Sequence, residues 1–595
     1  MIKSGENLGI PFLISLILLL LCIPFLCTKA QADETSYQVE IDAPSPLNQL
    51  LLKHLDIIKW RDNPRMTPAE WQRVSSEAPQ NIKDLLATEG FFSPIITSSL
   101  TQTNGVSLAK FKVEPGSPIL IQDVTLNFAG DITLQPNEDQ PNVTKLRNGW
   151  TLKSGMQFRQ EDWSQAKRSL LAALLIQRYP NASISQSSAT INVQTHTAAL
   201  TVDVDSGATI RFGNLSIEGL KRYPTSIVEN LNPIKPDSVY SQSELLTFQS
   251  RLQSSGYFRS VDIKVDTKAS NIDGSPTTNV PIKVVVEENP AIKVGIGAGY
   301  STNMGARTQL TFDNLNLLDH GWWLSSALKI EQKSQLLSGQ ISLPTTAKGY
   351  RDSISGSASH TSIQGQTITA TKAGIKRAWG PRKREQYVGA NLITEHINVD
   401  GAASSSNHAA TLAYGITLRH TDNDLNPTRG YLFNAQFAGA PLDALADGKF
   451  LQSYIKAQGY YPVTASTQLI ARAEVGMVNG KNSAPAAFLF RAGGDQSVRG
   501  YSFQSLGVTE GSAIVGGRYL ATGSIELVQW LTPQWGAAVF VDAGNAANTL
   551  QELKPVYGYG LGARWKSPVG PIGADIAYGQ KTSEYRMHFN IGVAF

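Results

Sequence analysis

From Ala291 onward, apolar residues alternate with polar or small ones in short runs separated by turn residues. A period of two sends each set to its own face of a strand. Ile292, Val294, Ile296, Ala298 and Tyr300 alternate with Lys293, Gly295, Gly297 and Gly299. In the last run, Tyr585, Met587, Phe589, Ile591, Val593 and Phe595 alternate with Arg586, His588, Asn590, Gly592 and Ala594. Runs such as Trp323–Ile330, Tyr387–Ile397, Ala409–Leu418, Tyr431–Phe437, Leu469–Val475, Trp535–Val541 and Tyr557–Trp565 bring the predicted strands to about sixteen. Over residues 291–595 this is about 19 residues per strand and connection, a spacing that suits an antiparallel transmembrane β-barrel. Short turns (Leu531–Gln534, Ser567–Pro571) alternate with longer links (Asn479–Ser512, Asn545–Pro555). Taken alone, the last run also fits an edge strand of a soluble sandwich.

The first half mixes helical and strand periods. Two stretches align at an offset of 91: Gly116, Ile119, Val124 and Leu126 match Gly207, Ile210, Leu215 and Ile217. Ser45 and Pro46 introduce a predicted helix with Leu47, Leu50, Leu51, Leu55 and Ile58 on one face. Thr67-Pro68-Ala69-Glu70 and Ser241-Gln242-Ser243-Glu244 read as capping boxes. Glu89-Gly90-Phe91 and Ser255-Gly256-Tyr257 read as glycine-capped helix ends. The pattern predicts three α+β units, at 33–116, 117–207 and 208–290, ahead of a barrel at 291–595.

Composition adds limits. Residues 1–32 read as a secretory signal peptide: Lys3, an apolar run from Ile10 to Cys27, then Ala30-Gln31-Ala32. An uncleaved anchor is the alternative. Both cysteines, Cys22 and Cys27, fall there, so a disulfide framework and thiolate metal sites are excluded from the rest. No later apolar run approaches the ~20 residues of a membrane helix. Residues 33–290 carry 24 Lys+Arg against 28 Asp+Glu, and residues 291–595 carry 26 against 19. The basic half is suited to anionic lipid headgroups or to a basic lumen. No basic helix or aromatic-basic strand accompanies it, so no nucleic-acid partner is expected. Neither a nucleophile elbow, a zinc-protease helix nor a phosphate loop is present, and the eight histidines are scattered, so neither enzymatic activity nor a cofactor is expected.

Motifs in the second half carry a resemblance. Asn426-Pro427-Thr428-Arg429-Gly430-Tyr431 opens a strand. Arg491-Ala492-Gly493-Gly494 and Val498-Arg499-Gly500-Tyr501 stand in a long link. Gly523-Ser524-Ile525-Glu526, Phe540-Val541-Asp542-Ala543-Gly544 and Gly560-Leu561-Gly562-Ala563-Arg564-Trp565 follow, and the chain ends on Phe595. The second half resembles the bacterial surface antigen barrel of the outer-membrane assembly-factor superfamily that includes BamA and TamA. The three units ahead of it resemble tandem POTRA domains, which is closest to the TamA-like branch, the barrel subunit of the translocation and assembly module.

The resemblance implies three POTRA domains in the periplasm and a 16-stranded barrel in the outer membrane of a Gram-negative bacterium. It also implies a TamB-like, inner-membrane-anchored partner, unfolded autotransporter and other outer-membrane clients, and contact with outer-membrane lipid and lipopolysaccharide. Two functions stay open: an assembly factor inserting or translocating barrel proteins, and a two-partner-type pore exporting a dedicated passenger. A passive or plugged barrel is a third. In the family the link bearing Val498, Arg499, Gly500 and Tyr501 folds into the lumen. Alternation turns Asp542 and Glu526 inward, so a latch of Arg499 on Asp542 and Glu526 is expected. The family's lateral gate would lie between the first and last strands, at Ile292, Val294, Gly295, Ile296, Gly297, Gly299, Phe589, Gly592 and Phe595, where glycines weaken packing.

Overall fold

A computed structural model describes residues 36–591 apart from 64, 104, 135–140, 269–277, 443–445, 481–483 and 568–569, with backbone alone at 570–571 and 590–591. The expected signal segment, Gly592 and Phe595 lie outside the described residues. The chain divides into two compact units, residues 1–209 and 210–595.

The first unit holds two α+β domains. One runs β1 (Ser36–Asp42), α1 (Leu47–His54), α2 (Asp56–Trp60), α3 (Pro68–Thr88), β2 (Ile95–Thr103) and β3 (Val106–Glu114). The next runs β4 (Leu120–Ala129), α4 (Val143–Gly149), α5 (Gln160–Leu175), β5 (Ser183–Asn192) and β6 (Thr197–Asp205). Both sheets place the last strand in the middle, parallel to the first and antiparallel to the second. Buried helix stripes cover one face of each: Trp71, Val74, Ala78, Ile82 and Leu86 on α3, and Trp163, Ala166, Leu170 and Leu174 on α5.

The helix expected over Leu47–Ile58 is two helices. Leu55 takes an extended backbone (ψ 135°) and is 1% exposed, so the break turns its side chain into the core and restarts the helix at Asp56. Helix α3 starts on the expected capping box, with Thr67 accepting from Glu70 N–H and Glu70 accepting from Thr67 N–H. It ends at Gly90, whose φ is 87° and whose missing Cβ would stand 2.1 Å from the Phe158 carbonyl oxygen.

The second unit opens with β7 (Arg211–Glu218), α6 (Ser226–Glu229), α7 (Gln242–Ser254), β8 (Phe258–Val265) and β9 (Asn279–Glu288), in the same sheet order. Its core, with Phe212, Phe248, Leu252 and Val284, also takes in Leu315 and packs on Trp323. Tyr257 Oη donates to the Gly321 carbonyl (2.7 Å), and Asn316 Nδ2 donates to the Arg222 carbonyl (3.4 Å).

Sixteen antiparallel strands follow in one sheet. They are β10 (Ile292–Ser301), β11 (Gly305–Leu317), β12 (Trp322–Glu331), β13 (Ser334–Ser342), β14 (Arg351–Ile363), β15 (Gln366–Trp379), β16 (Arg384–Val399) and β17 (Ser405–Thr421). After them come β18 (Gly430–Ala440), β19 (Phe450–Pro462) and β20 (Thr467–Gly480). A long link carries the small hairpin β21 (Val508–Glu510) and β22 (Ala513–Val515). The last strands are β23 (Tyr519–Trp530), β24 (Trp535–Ala547), β25 (Val556–Ser567), β26 (Gly570–Gly579) and β27 (Glu584–Ile591). Their outer faces are apolar and exposed, as at Val539, Val541, Ile525 and Leu527, while Asp542 and Glu526 are buried on the inner face. Among the described residues no helix is long and apolar enough to cross a membrane; closed sheets of strands satisfy the backbone in lipid without one.

Candidate functional site

The link between β20 and β23 enters the barrel. Val498 is fully buried, Tyr501 nearly so, and both sit in an apolar cluster with Phe488, Phe490, Leu506 and Leu520. Gly500 has φ 90°, and a Cβ there would meet Gly579 N at 2.7 Å, so the tip needs a glycine. Tyr501 Oη donates to the Tyr557 carbonyl (3.1 Å) and accepts from Lys581 N–H (3.0 Å).

Arg499, 1% exposed, lies between inward faces of four strands. Its Nε and Nη2 fork onto Asp542, donating to Oδ2 at 2.7 Å and Oδ1 at 2.9 Å. Its backbone N–H also donates to Asp542 Oδ2 (3.0 Å). Nη1 donates to Glu526 Oε2 (2.7 Å) and Asp575 Oδ2 (3.1 Å), and Nη2 to Ser524 Oγ (3.3 Å). The guanidinium lies 3.3 Å from the centre of the Phe540 ring. Arg564 completes the cluster: its Nε donates to Glu526 Oε1 (2.7 Å) and its Nη1 to Asp575 Oδ1. Three carboxylates thus face two guanidiniums, and both charge types are partnered as burial demands.

The link also reaches the two ends of the sheet. Gly500 N–H donates to His588 Nε2 on β27 (2.9 Å), which leaves the ring proton on Nδ1. Asn303, in the β10–β11 turn, donates from Nδ2 to Asp495 Oδ1. Phe589 N–H donates to Thr302 Oγ1 (3.3 Å). Among the described residues no ladder register joins β10 to β27.

On β10, Ile292, Val294 and Ile296 are 57%, 63% and 83% exposed, and the opposite face is bare as well: Lys293, Gly297 and Gly299 are exposed. Gly297 has no neighbour where a Cβ would stand, whereas Gly295 lies close to Thr311 Oγ1. Phe589 is 39% exposed. The structure therefore brings Arg499 together with Asp542 and Glu526. Sequence reasoning missed Ser524, Phe540, Arg564, Asp575 and His588 as neighbours of the tip. The available signal was inward parity: Asp575 alternates with Ala574 and Ile576, and Arg564 with Ala563 and Trp565.

Residues 287–595 match the family model described as the Omp85 superfamily domain, and residues 210–289 match the surface antigen variable number repeat, a POTRA domain. The chain is 23% identical over 599 residues to outer membrane protein assembly factor BamA of Neisseria meningitidis, covering 87% of this chain and 72% of that protein. It is 24% identical over 423 residues to the protein of the same name from Nitratidesulfovibrio vulgaris, covering 66% of this chain and about half, 52%, of that relative. The crystal structure of Haemophilus ducreyi BamA lacking POTRA domains 1–3 superimposes with a TM-score of 0.64 at 17% identity, over 79% of this chain and 98% of that one. The protein is an outer-membrane β-barrel with POTRA structure on its periplasmic side. Its barrel domain, more than half of the sequence, shows that the chain belongs to the Omp85 superfamily.

Proposed function

We propose that this protein is an outer-membrane assembly factor that inserts or translocates autotransporter and other β-barrel proteins through a lateral gate between β10 and β27, without nucleotide. The supporting observation is the state of β10: an edge strand exposed on both faces, with no ladder to β27 among the described residues. An unpaired edge offers a row of backbone donors and acceptors on which an incoming strand can pair. Burial of the client's own apolar face, about 25 cal/mol per Å², would drive its release into lipid.

In this reading all three α+β domains are POTRA domains, as in the TamA-like branch, and hold a TamB-like partner and unfolded clients. The shared sheet order supports it. The Arg499 cluster serves as a latch holding the link inside the lumen.

Photo-crosslinkers at Ile296, on the outer face of β10, and at Arg472, on the inner face of β20, separate this function from a secretion pore in cells. Barrel precursors captured mainly at Ile296 are the expected result. One secreted passenger captured mainly at Arg472 would replace the proposal with a two-partner-type pore. Cysteines at Thr302 and Phe589, oxidised to lock the seam, should stop client assembly while leaving the barrel folded; undiminished assembly in the locked protein would sink the gate.

A further inference from the structure

The lipid-facing wall is not uniformly convex. A groove of about 490 Å³ runs over β17–β20, about half-way round the sheet from the seam. Its floor is Ala457, Gly459, Ala471 and Ala473, and Leu418, Tyr431 and Phe433 form its sides. These positions share parity with the exposed outer residues Leu412, Phe437, Leu451 and Val475, so the groove faces lipid. The barrel itself does not require its floor to be low: a Cβ at Gly459 would meet nothing within 4 Å. Its size is that of a ligand pocket.

One end of the groove is basic. β10 follows directly on the POTRA domain at 210–289, so the β15–β16 and β17–β18 turns lie at the periplasmic rim, and both border the groove. Arg384 is the cross-strand neighbour of Leu418, which faces Phe433, then Ala457, then Ala473, in a single row. Arg429 stands two residues before Tyr431, and Lys383 beside Arg384; all three cations are exposed. The nearby acids are occupied. Asp424 pairs with Arg382 (3.0 Å), Glu385 with Arg351 (2.8 Å), and Asp422 accepts from the backbone N–H of Thr428 and Arg429. Among the described residues Lys383, Arg384 and Arg429 have no carboxylate partner. Tyr431 and Tyr461, both on the outer face, mark the interfacial level at which headgroups sit.

We infer that this groove is a binding site for an anionic phospholipid of the periplasmic leaflet, with an acyl chain over Gly459 and Ala471 and its phosphate on Lys383, Arg384 and Arg429. Basic clusters beside apolar clefts select anionic lipid by charge and hold it by the chain. The site goes beyond the assembly reading and does not depend on it, since it needs only the outer-membrane barrel.

The test is native mass spectrometry of the full-length protein released from nanodiscs of equal phosphatidylglycerol and phosphatidylcholine. The native protein should keep phosphatidylglycerol over phosphatidylcholine by several-fold. Replacing Lys383, Arg384 and Arg429 together by Gln should abolish the preference. Gly459→Leu, whose Cβ would meet nothing within 4 Å and whose side chain would occupy the groove, should lower total bound lipid several-fold, whereas Ala537→Leu on the outer face of β24 should not. Gel mobility before and after heating checks that each variant is folded. Equal retention of the two lipids by the native protein overturns the inference, as does a triple variant that keeps the preference, or a Gly459→Leu protein that binds as much lipid as Ala537→Leu.

Discussion

Arg499 shows how a single side chain can depend on strands far from it in sequence. Removing it would leave the buried Asp542 without a cation and Glu526 and Asp575 with Arg564 alone, and breaking a buried ion pair from one side costs about 3–5 kcal/mol. Arg499→Ala is therefore expected to lower the unfolding free energy of the barrel by that order, seen as a lower urea midpoint. Arg499→Lys should recover only part of it, because an ammonium cannot fork onto Asp542. A midpoint unchanged in the Ala variant would show the cluster to be energetically idle. The inward position of Asp542 was legible from its neighbours, since Val539 and Val541 alternate with it. The contribution of Asp575 and Arg564 was not. It depends on the registers that carry Glu526 opposite Phe540, Phe540 opposite Gly560, and Gly562 opposite Asp575. Alternation within one strand holds no information about register between strands.

At the scale of elements, local signals were read well where chemistry fixes them. Thr67 and Glu70 form the reciprocal cap; of the box expected at Ser241 only one half forms among the described residues, with Ser241 accepting from Glu244 N–H (3.4 Å). Thr67→Ala should destabilise the first α+β domain by about 1 kcal/mol, seen as faster hydrogen exchange in α3; no change would mean that packing of Trp71 and Ile82 holds the helix without its cap. The break at Leu55 was invisible for a physical reason. An apolar residue at helical spacing suits a continuous stripe and a restarted helix equally, and only the core decides. Strand number was legible in the barrel, but strand length was not. β17 runs for 17 residues, well past the Ala409–Leu418 run, because its polar extracellular end, from Ser405 to His408, breaks alternation while keeping its backbone pairs.

At the scale of the molecule, the domain at 210–289 is tied to the barrel beside the seam. Glu288 holds the turn, Lys221 to Tyr223, from which that tie is made. Its carboxylate accepts from the backbone N–H groups of Lys221 and Arg222 (both 2.8 Å) and Tyr223 (3.3 Å), and from Arg222 Nε (2.9 Å). The same Arg222 gives its carbonyl to Asn316. Burial alone would raise the Glu288 pKa, but these donors outweigh it and hold the group below the usual carboxylate range. A depressed acid stabilises the fold above its unfolded value, about 4.3, and that contribution fades as pH falls through the lower folded value. Trp323 packs on this domain, so its fluorescence, taken as the difference from Trp323→Phe, should shift as pH drops below about 4.3. Glu288→Gln should show the shifted signal already at neutral pH, with no acid step. A native-like signal at pH 7 in that variant would remove Glu288 from the junction.

The buried tip of the β20–β23 link has a consequence for the protein's own birth. Nearly every partner that holds Arg499 and Gly500 comes later in the chain: Ser524, Glu526, Asp542, Asp575 and His588. The link cannot find its seat until those strands exist. The seat of the tip is therefore completed only after β23, β24, β26 and β27 are in place. Maturation of this protein is then expected to be slow, as where segments distant in sequence must meet before either is stable.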